Sequence, residues 1–242
     1  YASACETSLL NGILGAADAN GEDWSYFTFP NGRRNSTYHW ACCKSSGALA
    51  LEEASILPLF LKGDTLVISL WQPFRAEFDW GVIELKQEER DAYRLTIDST
   101  AGEPPLVELV TPAWAEDALL DELPMMPSVT LTPAVGASKA HTVKFSVKPA
   151  VQPFTYVQHH HGQEIVRTDY AFITWGPYVY AHGLIEGYRK QETVRIARLF
   201  PLNSFAEASD SIHPTFSLKG QGRTRIHLEP FYAAGGQHDG AY

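Results

Sequence analysis

Two adjacent thiols, Cys42 and Cys43, are the side chains of this sequence best equipped for chemistry. A thiolate is a strong nucleophile and a preferred soft ligand for zinc. The chain has 3 cysteines in all, Cys5 being the third, so a disulfide framework is not expected. Nor do the two neighbours suit a bridge to each other. Adjacent Cα atoms lie about 3.8 Å apart, whereas ordinary disulfides span at least about 4.4 Å. The pair therefore reads as free thiols or as metal ligands. On the residues alone, two small side chains buried at a helix end compete with that reading, because free Cys is among the most buried residue types.

Other candidates are weaker. His159-His160-His161 follows a strand pattern and precedes Gly162. Consecutive strand residues point to opposite faces, so three in a row chelate poorly and a solvated turn is the better account. Glu52 and Glu53 lie along a helix pattern and read as its solvated face. Gly176-Pro177 is most simply a turn.

The elements that must position these residues change character along the chain. Leu9, Leu10, Ile13 and Leu14 have helical spacing within Ala2 to Ala17, and a helix ends there at Gly15 and the following turn. Trp24 to Phe29 alternates aromatic and small residues and runs into Pro30-Asn31-Gly32, as a strand and turn would. A second helix is expected from Ser45 or Ser46 to Leu61, with Leu49, Leu51, Ile56, Leu57 and Phe60 toward a core and Pro58 near its end. After Lys62-Gly63-Asp64 come short alternating runs, among them Thr65 to Trp71, Phe74 to Trp80, Tyr93 to Ser99, Leu106 to Thr111 and His141 to Val147. Runs of that length separated by Gly, Pro and Asp predict antiparallel β-sandwiches. The acidic stretch Ala115 to Pro127 reads as a connection or a short helix, and Lys148-Pro149 to Pro153 as a seam.

Composition sets outer limits. The 242 residues are 45% hydrophobic and 12% aromatic, which is globular, and 28 acidic against 19 basic residues leave a net charge of -9. An acidic chain without a basic stripe is not expected to bind nucleic acid or an anionic membrane surface. No stretch approaches about 18 consecutive apolar residues, the length of a spanning helix.

Several segments then fall into a known order. Tyr1, Ala2, Glu6, Leu9, Asn11 and Gly12 form a Y-A-x-x-x-E-x-x-L-x-N-G pattern, followed by Trp40-Ala41-Cys42-Cys43 and by Asp64, Leu66 and Leu70. Further on stand Trp175 to Ala181 (W-G-P-Y-V-Y-A) and Leu228 to Ala233 (L-E-P-F-Y-A). This order resembles the C-terminal half of the β-L-arabinofuranosidase family, glycoside hydrolase family 127.

The resemblance implies a mainly β chain: two antiparallel β-sandwich domains preceded by the last helices of an (α/α)6 barrel whose N-terminal part is missing. The implied division is residues 1–62 for the barrel remnant, 63–150 for the first sandwich and 151–242 for the second. It implies a zinc-dependent, retaining glycoside hydrolase. Cys42 would be nucleophile and zinc ligand, and Cys43 a zinc ligand. On the residues alone, Trp24, Tyr26 and Tyr38 are candidates to stack on a sugar face, with core packing as the competing account, and His39 beside Trp40 is a candidate for the rim of the site, with a structural role competing. The partners implied are a carbohydrate substrate and the missing barrel, from the same or a separate chain; a homodimer is compatible with it.

The family's C-C-P-P-N is here Cys42-Cys43-Lys44-Ser45-Ser46, and an aromatic before Asn-Gly is replaced by Leu10. The family's Glu-x-Cys ligands and acid/base carboxylate would fall upstream of Tyr1, so this stretch alone is not expected to turn over substrate. The alternative is a carbohydrate-binding or scaffolding portion with a drifted site.

Overall fold

The structure, a computed structural model, describes residues 1–17, 21, 23–28, 34–36, 41–183, 206–207, 215–219 and 225–234. It is mainly β, as the alternating runs require, with helix confined among the described residues to Ala2–Ala16 and Ala41–Ala54. None of these helices is long and apolar enough to cross a membrane. The chain divides into two compact units, one of Tyr1–Leu9 and Lys44–Val147, the other of Leu10–Cys43 and Lys148–Tyr242.

The first unit contains two sheets. One has six antiparallel strands in the order Leu123–Pro124, Asp117–Leu120, Ser138–Ser146, Ala92–Ser99, Gly81–Glu89 and Phe74–Phe78. The other has four, in the order Ser128–Leu131, Leu106–Val110, Thr65–Ile68 and Leu59–Lys62, and its middle pair is parallel. In each sheet one side-chain face is apolar, because strand residues alternate sides. Ile83, Leu85, Leu95, Ile97, Val143 and Phe145 from the first sheet bury against Leu66, Ile68, Val107 and Leu109 from the second. That is a β-sandwich core.

Trp71 sits within this core, 1% exposed. Its ring meets Phe145 edge-on at 4.7 Å and Tyr93 at 5.6 Å between centroids. Its indole N–H donates to the carbonyl of Val110 at 3.0 Å. A Trp is buried cheaply only where that N–H finds an acceptor, and here it does.

Several sequence expectations are redrawn. The second helix runs Ala41–Ala54, starting before Ser45 and stopping well short of Leu61. Pro58 lacks an N–H and disfavours helix at the residue before it, so the chain turns over 55–58 and enters the strand Leu59–Lys62. Gly63, at φ 59°, then lets that strand fold back on Thr65–Ile68. Leu49 and Ile56, expected in a core, are exposed.

The acidic stretch 115–127 is neither linker nor helix. It is a tight hairpin whose two turn residues, Asp121 and Glu122, both have positive φ. Asp121 is fastened by accepting from the Thr142 N–H at 2.9 Å and by the buried His141 Nδ1 at 2.7 Å. The strand Gly81–Glu89, acidic in its second half, has no counterpart among the sequence runs.

In the second unit, Pro149–His160, Gln163–Trp175, Tyr178–Ala181, Arg225–Pro230, Phe216–Lys219 and Ala206–Glu207 form a six-stranded antiparallel sheet in that order. A short pair, Ser25–Thr28 with Arg34–Ser36, stands apart from it. Thr193 to Phe200, a further alternating run that the sequence offers as a strand, lies outside the described residues.

Truncating Trp71 removes both its ring contacts and the Val110 hydrogen bond. Trp71→Ala is expected to cost about 3–5 kcal/mol, seen as a lower urea midpoint with the slope of the transition preserved.

Candidate active site

Cys42 and Cys43 occupy the first turn of the helix Ala41–Ala54. Cys42 is exposed and Cys43 half-buried, and neither is in a disulfide. Their sulfurs are 3.8 Å apart. Two thiolates on one tetrahedral zinc, each at about 2.3 Å, are separated by about 3.8 Å. The pair thus presents two soft donors at the spacing that zinc requires. Partial burial, followed by the adjacent Cys42 sulfur, pushes the Cys43 thiol up from its ordinary value. A bound cation would reverse that, since it favours the thiolate over the thiol. Among the described residues no cluster of three or more His, Cys, Asp or Glu assembles around any point.

The sequence also singled out Trp24, Tyr26, Tyr38 and His39. Trp24 is buried, forms an isolated bridge with Ala17, and its ring N–H has no hydrogen-bond partner among the described residues. Tyr26 lies on the strand Ser25–Thr28. Tyr38 and His39 lie outside the described residues. His161 and Gly162, at φ 48° and 80°, form the turn of the hairpin between Pro149–His160 and Gln163–Trp175, with exposed His159 and His160 ending its first strand.

Two polar residues of the Y-A-x-x-x-E-x-x-L-x-N-G pattern acquire roles that the sequence did not assign. Glu6 is 1% exposed. Its carboxylate accepts from the Trp114 indole N–H at 2.7 Å and, more distantly, from the Gln72 amide at 3.5 Å. Burial raises its pKa, opposed by these two donors and by the backbone N–H of Trp71. Tyr93, buried beside that carboxylate, has its hydroxyl pushed well above the ordinary tyrosine range, first by burial and then by the Glu6 charge.

Asn11 lies in the π-helical turn Ser8–Ile13. Its amide donates to the carbonyl of Pro177 at 2.8 Å and accepts from the N–H of Val179 at 2.7 Å. One side chain thereby completes both backbone groups of the Gly176-Pro177 turn, much as a neighbouring strand would. One helical turn later, a Cβ on Gly15 would lie 2.7 Å from the Phe231 ring, so the helix approaches that ring as only glycine allows. The signal that could have found these contacts is the joint presence of Asn11-Gly12, Gly176-Pro177 and Phe231 in the matched segments.

Comparison with known proteins places the fold. The chain has the fold of part of a glycoside hydrolase: one such solved structure matches 99% of it at a TM-score of 0.65 and 15% identity. More particularly, a glycoside hydrolase family 127 β-L-arabinofuranosidase from Geobacillus stearothermophilus T6 matches 99% of the chain at 0.63 and 14% identity. A second family 127 β-arabinofuranosidase matches 98% at 0.64 and 13% identity. The chain spans less than half the length of these structures, 47%, 45% and 44% respectively. No protein-family model and no curated protein matches it.

Asn11→Ala leaves the Val179 N–H and Pro177 carbonyl without their partner. A loss of about 1–3 kcal/mol is expected, read as a lower Tm in thermal unfolding.

For Glu6 the sign follows from its raised pKa. Its contribution to stability is full below the unfolded value of about 4.3 and is lost as pH rises through the higher folded value. Relative to Glu6→Gln, the wild type should therefore lose stability as pH rises through the acid range, read as a shrinking or reversing difference in Tm.

Proposed function

We propose that this chain is the C-terminal portion of a zinc-dependent retaining glycoside hydrolase that releases L-arabinofuranose or a related sugar through Cys42. The observation that carries the reading is the 3.8 Å separation of the Cys42 and Cys43 sulfurs at the head of a helix. The fold shared with the arabinofuranosidases supports it.

Cys42 and Cys43 would be two of the metal's ligands. The others, together with the acid/base carboxylate, belong to a barrel portion contributed by the same chain or a separate one. Cys42 and Cys43 would hold the zinc through their sulfurs, and the metal, when bound, would supply positive charge that favours thiolate ligands.

In the first step the Cys42 sulfur gives its electron pair to the anomeric carbon as the glycosidic C–O bond breaks, and the departing oxygen takes a proton from the carboxylic acid. In the second, water activated by the resulting carboxylate displaces the sulfur. The sugar leaves with its anomeric configuration retained, and Cys42 returns as a thiolate. Cys42 thus does the work of one of the two carboxylates of an ordinary retaining glycosidase. Cys43, half-buried, would bind and not attack.

Cys42→Ser in the complete protein should lower turnover of an aryl arabinofuranoside by about four orders of magnitude or more. Elemental analysis should find about one zinc per wild-type site and a clear loss in Cys43→Ser. A metal-free wild type whose activity survives Cys42→Ala would sink the mechanism. Metal-free thiols with intact sugar binding would instead make this a carbohydrate-binding or scaffolding portion.

A further inference from the structure

Glu6 is the one buried residue of the helix Ala2–Thr7. Ala4, Cys5 and Thr7 around it are exposed, and Ala2 and Ser3 are half-buried. In the whole segment Tyr1–Leu9, which belongs to the first unit, only Leu9 joins it in the interior. A helix is ordinarily held by an apolar stripe. Here a carboxyl takes that place, although Glu is among the residue types least often buried.

The seat that receives it is specific. The Trp114 indole N–H, the Gln72 side-chain amide and the Trp71 backbone N–H all donate to the carboxylate, the first at 2.7 Å. None of these three donors carries a charge. Neutral donors offset only part of the cost of taking a carboxylate out of water, whereas the protonated acid has no charge to desolvate. The closed segment therefore favours the protonated acid, and burial raises the Glu6 pKa against the pull of the three donors.

Glu6 is also the group that titrates in this seat. The Tyr93 hydroxyl beside it is pushed far above its ordinary range, first by burial and then by the Glu6 and Asp91 charges, so it stays neutral in acid and at neutral pH. Arg75, Asp91, Arg94 and Glu116 are the charged residues nearest in sequence to the elements that meet it. Burial and the three N–H groups, not those charges, set the affinity of the carboxyl for its proton. Asn11, further along the same helical run, is fastened to Pro177 and Val179 by groups that do not titrate.

We propose that Glu6 is a proton-operated latch: protonated, it holds the helix Ala2–Thr7 closed on the first unit, and as it ionises the segment Tyr1–Leu9 opens more often while the sandwich behind it stays folded. The sign follows from linkage. A carboxyl that binds its proton more tightly when closed stabilises the closed segment fully below its free value of about 4.3. That stability is given up as pH rises through the higher value of the closed form.

Amide hydrogen exchange on the 242-residue chain, corrected for the intrinsic pH dependence of exchange, reads this opening. The reporters are the N–H of Cys5, bonded to the Tyr1 carbonyl at 3.0 Å, and the N–H of Ser8, bonded to the carbonyls of Ala4 and Cys5. In wild type their protection should fall as pH rises from about 4 to about 7, by up to about tenfold per pH unit, the limit for one proton. Leu95, in the strand Ala92–Ser99, and the Val179 N–H held by Asn11 should keep their protection over the same range. Glu6→Gln, which cannot ionise, should flatten the profile at Cys5 and Ser8. Trp114→Phe keeps a ring on Phe145 and removes the N–H. It should lower protection most at neutral pH, because a donor is worth more to a carboxylate than to the neutral acid. Wild type and Trp114→Phe carry the test even where Glu6→Gln does not fold. A flat wild-type profile overturns the proposal, as does a Glu6→Gln profile that still falls with pH. Loss of protection at Leu95 in step with Cys5 overturns it too, since the whole unit would then be opening.

Discussion

Trp71 is gripped from two directions, and much of the first unit is arranged around that grip. Its ring fills the space between the sheets against Phe145 and Tyr93, and its N–H reaches the carbonyl of Val110 at the end of a strand in the opposite sheet. The backbone at this point is fixed as a result, and so is its neighbour Gln72. From there the Trp71 backbone N–H and the Gln72 side-chain amide reach Glu6, whose other donor, Trp114, itself packs on Phe145. A hydrophobic cluster and a buried carboxylate thus share one set of aromatic residues. Loosening the packing would also leave a charge without its donors, which is the more expensive failure in a dry interior.

The strands were legible wherever hydrophobic alternation was clean. Thr65–Ile68, Ala92–Ser99 and Leu106–Val110 all lie within a residue or a few of the runs read from their sequence. Gly81–Glu89 escaped because its second half, Lys86 to Glu89, is polar on both faces, and no apolar period survives there. The hairpin at Asp121-Glu122 escaped because acidic residues are unusual at two successive positive-φ positions, where Asn-Gly is the ordinary signal. The helix of the cysteine pair was visible as a helix. Its end was misplaced because the apolar spacing of Ile56, Leu57 and Phe60 continues past the residue where Pro58 forbids the conformation.

The candidate site divides in the same way. Cys42 and Cys43 are recognisable from residue type alone, since few other roles need two adjacent thiols, and the structure adds the spacing between their sulfurs. Glu6 and Asn11 were visible only as letters in a pattern. What they do depends on partners far away in sequence: Gln72 and Trp114 for Glu6, Pro177 and Val179 for Asn11. No local period encodes such pairings.

The separations of those partners bear on how the chain comes to be folded. Glu6 lies 66 and 108 residues from its side-chain donors, and Asn11 lies 166 and 168 residues from its two backbone partners. Closing loops of that length costs entropy before any contact repays it. A carboxylate is also not drawn out of water until its donors stand ready. The helical run Ala2–Ala16 precedes all of these partners in the sequence, so the contacts that fasten it have to wait for them. On a ribosome it waits through the synthesis of Gln72, Trp114, Pro177 and Val179 before these hydrogen bonds can form.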